Sequence, residues 1–223
     1  MRSLPLYFLL DTSGSMRGEP IQALNNAFSG MIKSLTTNTN AIESLLISII
    51  TFDREVKEIV SLTKLESFQL PEIICPASGP TNMGEALSLL LQKIEPQLAK
   101  RRKYIYLYHK SLLFLFIDGR PSDVSLFREM SVKLLSSEYG IKIGCLVKSH
   151  NEKTDSSWIK QFSDTILQIN SYDQDSINQV YKWSTELILK ILENDDDISD
   201  SFNIIDPNNP KLPQLTNRLM YLN

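Results

Sequence analysis

The stretch LPLYFLLDTSGSM, residues 4–16, constrains this chain more than any other. An apolar run stops at an aspartate and passes at once into hydroxyl and glycine residues. Apolar residues without polar alternation predict a strand buried on both faces, which requires a sheet covered by helices on each side. Beyond it Asp11, Ser13 and Ser15 alternate, so an extended loop aims all three side chains at one point. One carboxylate and two hydroxyls, with no sulfur or imidazole, suit a hard cation such as Mg²⁺ or Mn²⁺. Taken alone, the same residues also serve as turn and helix-cap chemistry. What the rest of the chain brings beside them decides between the two.

Residues 45–52 are a second apolar strand, and Asp53-Arg54 makes a tight turn into a third at 55–62. That hairpin places one antiparallel strand at an edge. A further apolar run at 112–117 also ends in aspartate, at Asp118-Gly119, and strands at 141–147 and 165–169 follow. Helical spacing appears in Ile21, Leu24, Phe28 and Met31, where Gly18 and Pro20 prepare the start. It recurs in Met83, Leu87, Leu90 and Ile94, in Phe127, Met130 and Leu134, and in Ile177, Val180, Tyr181, Leu187 and Ile188. A short helix at 156–163 would place Trp158, Ile159 and Phe162 on its apolar side. Residues 36–40 read as a polar break, 66–74 as irregular and 76–82 as a loop; 100–110 reads as a basic, aromatic-studded connection.

Strands alternating with helices predict an α/β fold: a mostly parallel central sheet, one antiparallel edge strand and helices on both faces. Sites in such sheets lie beyond the carboxyl ends of the strands. Asp11 and Asp118 both stand there. The helix opening after Thr81 must run back to the start of the next parallel strand, so its amino terminus stands on the same rim. Three loops therefore converge. Gly14 and Gly119 are expected to let the backbone turn sharply beside the site.

The 223 residues, 42% hydrophobic and 22% charged, supply one sizeable core. We expect one domain over 1–193 and a tail over 194–223, which is acidic at Asp195, Asp196, Asp197 and Asp200 and punctuated by Pro207, Pro210 and Pro213. The acidic run lacks the glycine and terminal glutamate of a calcium loop. A net charge of −3 draws the chain as a whole to neither nucleic acid nor an anionic membrane. Cys75 and Cys145 are far apart and form no CxxC, which favours a reduced, cytoplasmic setting. Met1-Arg2 and the apolar run imitate a signal peptide, but Asp11 stands where a small-residue cleavage site would be needed. No stretch is long enough to span a membrane.

Among the remaining candidates, Asp53 is expected to serve its turn and Asp123 to cap the following helix. Lys100, Arg101, Arg102 and Lys103, near Tyr104, Tyr106, Tyr108 and His109, carry a nucleic-acid-like pattern. A solvated helix carboxyl end accounts for the basic residues more simply. His109 and His150 have no catalytic constellation around them, and Met31, Trp158 and Trp183 read as packing residues.

Asp11-Thr12-Ser13-Gly14-Ser15, then Thr81, then Asp118, resembles the metal-ion-dependent adhesion site of von Willebrand factor A (VWA) domains. FLLDTSGSMRGEPI, SIITFDREVKEI, the FQLPEI run, SGPTNMGEAL and the DGRPSD loop are similar to the bacterial tellurium-resistance TerY-like proteins, over roughly residues 3–192. The resemblance implies a Rossmann-like, non-enzymatic module that binds Mg²⁺ or a similar cation. It implies that Ser13, Ser15 and Thr81 ligate the ion directly while Asp11 and Asp118 act through water. It further implies a protein partner that supplies a carboxylate, kinase-like or phosphatase-like and belonging to the same stress-response system. Neutral direct ligands would leave the cation most of its charge, which is what attracts that carboxylate. Ile117 departs from the family, where threonine is more usual; a core-facing strand position would account for it. The rival reading is a metal-dependent phosphohydrolase. The haloacid-dehalogenase pattern needs a second aspartate two residues after Asp11, where Ser13 stands, and no GxxxxGK loop is present. A domain without any metal is the third.

Overall fold

Side chains alternate across a strand, and strand β1 (Leu4–Asp11) is buried at every position, so both of its faces carry apolar residues into a core. Leu4, Leu6, Phe8 and Leu10 enter one layer, and Tyr7 and Leu9 enter the other. The computed structural model describes residues 2–76, 79–137, 139–147, 157–160, 162–169, 173–193 and 215–217. After β1 come β2 (Leu45–Phe52), β3 (Val56–Lys64), β4 (Ser111–Ile117), β5 (Gly140–Val147) and β6 (Thr165–Ile169), in the spatial order β3-β2-β1-β4-β5-β6. Only β3 in this group runs antiparallel, at the edge that the Asp53 hairpin requires. A three-residue strand, β7 (Leu215–Asn217), pairs antiparallel with β6. The other residues of the expected tail, 194–214 and 218–223, lie outside the described residues, as does His150.

The helices are α1 (Glu19–Leu35), α2 (Thr39–Ser44), α3 (Met83–Lys103), α4 (Val124–Leu135), α5 (Ser157–Lys160) and α6 (Gln174–Glu193). α1 packs on α6 over one face of the sheet, and α3 on α4 over the other. Aromatic rings bind the first layer: Phe8 stacks on Phe114 at 5.1 Å between centroids, and Phe116 on Tyr181 at 4.9 Å. Ile117 is fully buried in the second layer, which explains an apolar residue there.

Two stretches differ from expectation. The polar break runs into α2, which starts at Thr39, because Asn38 Oδ1 accepts the Ala41 N–H at 3.0 Å and so caps a short helix whose Ala41 is buried. The basic residues Lys100 to Lys103 form the last turn of α3 and not a connection, where lysine and arginine are good helix formers and complement the helix dipole. A single 3₁₀ turn, Ile105–Leu107, follows. Another, Leu65–Ser67, opens the irregular stretch after β3.

The chain leaves β1 towards β2 on one side and returns through α3 to β4 on the other. Strand order reverses beside β1, and the carboxyl ends of β1 and β4, adjacent and parallel, flank the crevice that this topology creates.

Candidate metal centre at the carboxyl edge of the sheet

The first loop is fixed by its own backbone. Ser13 N–H donates to Asp11 Oδ1 at 2.8 Å, and Thr12 N–H donates to the Phe52 carbonyl at 2.9 Å. The Thr12 side chain turns the other way and donates to Asp53 Oδ2 at 2.9 Å. Met16, buried, ends a 3₁₀ turn (Gly14–Met16) that begins on the Ser13 carbonyl. As a result Ser13 Oγ and Ser15 Oγ stand 3.1 Å apart, the first buried and the second open to solvent.

Asp11 is fully buried, and its second oxygen, Oδ2, accepts no hydrogen bond from any described residue. Its carboxyl is raised to about 7, first by burial and next by the negative charge of Asp118, whose carboxyl lies within hydrogen-bonding reach. Two carboxyls so placed need a proton or a cation between them. The Cys75 thiol is pushed up to about 12, by burial first and then by the charges of Asp11, Asp118 and Asp53.

The other loops are stitched together. Thr81 N–H donates to Ser122 Oγ at 2.9 Å, and Ser122 N–H returns a bond to the Thr81 carbonyl at 2.9 Å. Asn82 N–H donates to the Asp53 carbonyl at 3.1 Å. Asp123 accepts the Gly84 N–H and the Glu85 N–H, each at 2.9 Å. These bonds hold Thr81, itself buried, to the loop that carries Asp118.

Asp11, at the end of β1, and Ser13, Ser15, Thr81 and Asp118, on loops, thus stand at the carboxyl rim of the sheet. Asp123 corrects an expectation: its carboxylate makes no bond to its own helix and caps the amino terminus of α3 instead. Asp53 does serve its turn, through Glu55 N–H on Oδ1, and also holds Thr12. Gly14 and Gly119 do not adopt the positive φ that would have made them obligatory; among the described residues that belongs to Gly18, at +90° before α1, and Gly140. Thr12 and Ser122 escaped the sequence reading. Thr12 gave only its out-of-phase position in the alternation as a signal, and Ser122 gave none.

Among the described residues no three of His, Cys, Asp and Glu are placed so that together they could hold a metal ion. The rim therefore offers two carboxyls and hydroxyls, the donor set of a hard-cation site and not of a zinc site.

A doubly wound α/β sheet with oxygen donors at its switch point defines a class of domain that presents a site on one rim. Within that class the sequence matches the model of the von Willebrand factor type A domain over residues 6–183, and the chain belongs to this family. Its domains are commonly interaction modules. Solved structures similar to it include proximal thread matrix protein 1 from the mussel byssus (TM-score 0.62, 14% identity, 82% of this chain and 45% of that one). They also include the ArnB paralog VWA2 from Sulfolobus acidocaldarius (0.54, 16%, 84% and 45%) and the PilB minor pilin from Streptococcus sanguinis (0.61, 13%, 84% and 61%). At these identities the likeness is one of fold, and the match spans roughly half the length of each. A sequence search against curated proteins returns no match.

Proposed function

We propose that this domain is a metal-ion-dependent interaction module, with Mg²⁺ or Mn²⁺ held by Ser13, Ser15 and Thr81 directly and by Asp11 and Asp118 through water. The observation that carries it is the Asp11 carboxyl: its Oδ2 is buried without a donor, Asp118 lies against the group, and the hydroxyls of Ser13 and Ser15 in the following loop converge to 3.1 Å. A buried carboxylate left in that state is costly unless a proton or a cation joins it. A hard cation held there offers an open coordination position to an incoming carboxylate. The residues of the chain do the rest. Ser13 N–H fixes the Asp11 carboxylate, Ser122 fixes Thr81, and Ser15 lies at the solvent side, where a partner would approach. Arg17, Arg54 and Arg120, all exposed, follow the acids of three rim loops and add positive potential around the site. The partner is accordingly a protein that presents an acidic side chain.

The close sequence patterns given above support a TerY-like role in a bacterial tellurite or stress-response system, with a kinase-like or phosphatase-like partner. Two free thiols suit the cytoplasm. Ser13, hydrogen-bonded to Ser15, stands where a phosphohydrolase of the haloacid-dehalogenase type needs its acid, so we do not propose an enzyme.

Capture of partners from the host in Mg²⁺, in EDTA and with Asp11→Ala tests the function. We expect one protein retained in Mg²⁺ and lost in both other arms. Retention in all three overturns the reading. Calorimetric titration of the chain with Mg²⁺ tests the cation alone, and no binding heat overturns that part.

A further inference from the structure

The pole opposite the metal rim carries a second surface. α3 starts at the rim, and its 21 residues carry it to the far end of the sheet, where α4 also ends. Seven large apolar residues are exposed among those described; three of them, Tyr104 (41% exposed), Ile105 (56%) and Leu107 (51%), stand together in the turn after α3, and Leu135 (49%) ends α4 at the same pole. Isolated exposed apolar residues are ordinary; a cluster calls for an occupant.

The charge of the segment that carries them is one-sided. Residues 100–110 hold five lysines and arginines and no acid, in a chain whose net charge is −3. Lys100, Arg102 and Lys103 are exposed in the last turn of α3, directly before the apolar 3₁₀ turn. That turn is also held in place. Leu107 N–H bonds the Tyr104 carbonyl at 2.9 Å, Ser3 N–H bonds the Leu107 carbonyl at 2.8 Å, and His109 N–H bonds the Ser3 carbonyl at 2.9 Å. Ile105 and Leu107 therefore project from a backbone tied to β1.

We propose that this pole docks on an anionic lipid surface, with Ile105 and Leu107 entering the acyl boundary, Tyr104 at headgroup depth and the α3 carboxyl-terminal lysines and arginines on lipid phosphates. Aromatic residues favour the headgroup level, and long basic side chains reach the phosphates while their stems cover apolar surface. Nucleic acid fits less well. It makes no use of aliphatic tips, and the ring of Tyr104, a candidate for base stacking, is covered by Lys103 Nζ at 5.2 Å. Among the described residues no helix is long and apolar enough to cross a membrane, so the contact is peripheral. It leaves the metal rim pointing away from the lipid.

Co-sedimentation of the full chain with vesicles tests this. We expect binding to mixed phosphatidylglycerol–phosphatidylcholine vesicles, none to phosphatidylcholine alone, and weakening with salt. Ile105→Asp with Leu107→Asp should reduce binding by more than about tenfold, and Lys100→Glu with Lys103→Glu by roughly fivefold or more per residue. Unchanged melting temperatures identify folded variants; should the apolar pair unfold, the charge pair carries the test alone. No binding to the mixed vesicles overturns the proposal, as does equal binding to neutral ones or full binding by the folded variants. Binding of single-stranded RNA by protein that ignores vesicles overturns it in favour of a nucleic-acid surface.

Discussion

At Asp11 two effects oppose ionisation: burial strips water from the carboxylate, and Asp118 brings a second negative charge against it. Its folded value of about 7 lies above the ordinary 3.8, so the metal-free folded state keeps a proton that the unfolded chain releases. That stabilising contribution is complete below the unfolded value and disappears as pH rises through the folded one. In EDTA the melting temperature should fall as pH rises from about 4 to about 7, and Asp11→Asn should flatten the slope; an unaltered slope in the variant would assign it to another group. At Cys75 the thiol stays protonated at neutral pH, because its value stands near 12. Alkylation by iodoacetamide at neutral pH should be slower in the folded protein than in urea. Asp118→Asn should accelerate it only modestly, since burial is the larger cause.

Between elements, one close contact is where α3 meets α4. A Cβ on Gly84 would stand 2.4 Å from the Phe127 backbone nitrogen and 2.8 Å from Asp123 Oδ2, so only glycine permits this crossing. Gly84→Ala should destabilise by about 1–3 kcal/mol, read from denaturant midpoints. Asp123→Ala removes the two bonds that cap α3 and should cost about 1–2 kcal/mol. It should also weaken Mg²⁺ binding without touching the ion, because Thr81 leads directly into α3; unchanged affinity would separate the cap from the site. These contacts mark where sequence reading stops. Strands β1, β2 and β4 were legible in unbroken apolar runs, and β2 was delimited to the residue, whereas β7 fell inside the expected tail. The cap was not, since Pro121-Ser122-Asp123 reads locally as the start of α4, and nothing in that tripeptide says that a helix forty residues earlier lies within reach.

Over the whole molecule, the rim was legible because strand polarity is a global rule: apolar runs ending in Asp11 and Asp118 had to finish on the same side. The hydroxyl that fixes Thr81 and the partner of Thr12 were not, because both depend on how loops settle once the sheet exists. The proposed site joins residues 11 and 118 across β1 and β4, so on that reading cation binding and global folding would be one equilibrium. Mg²⁺ at a hundred times its dissociation constant should raise unfolding free energy by about 2.7 kcal/mol, and Asp11→Ala should abolish the gain. Mechanics adds a further consequence. β1 has parallel neighbours on both sides and ends at Asp11, with register running from Leu4 beside Leu45 to Asp11 beside Phe52, and from Leu6 beside Leu112 to Leu10 beside Phe116. Tension between a partner seated at Asp11 and an attachment at the start of β1 runs along that strand. It loads the hydrogen bonds of both ladders together, in shear, and does not peel them one at a time. The partner's grip at the rim would give way before the sheet does.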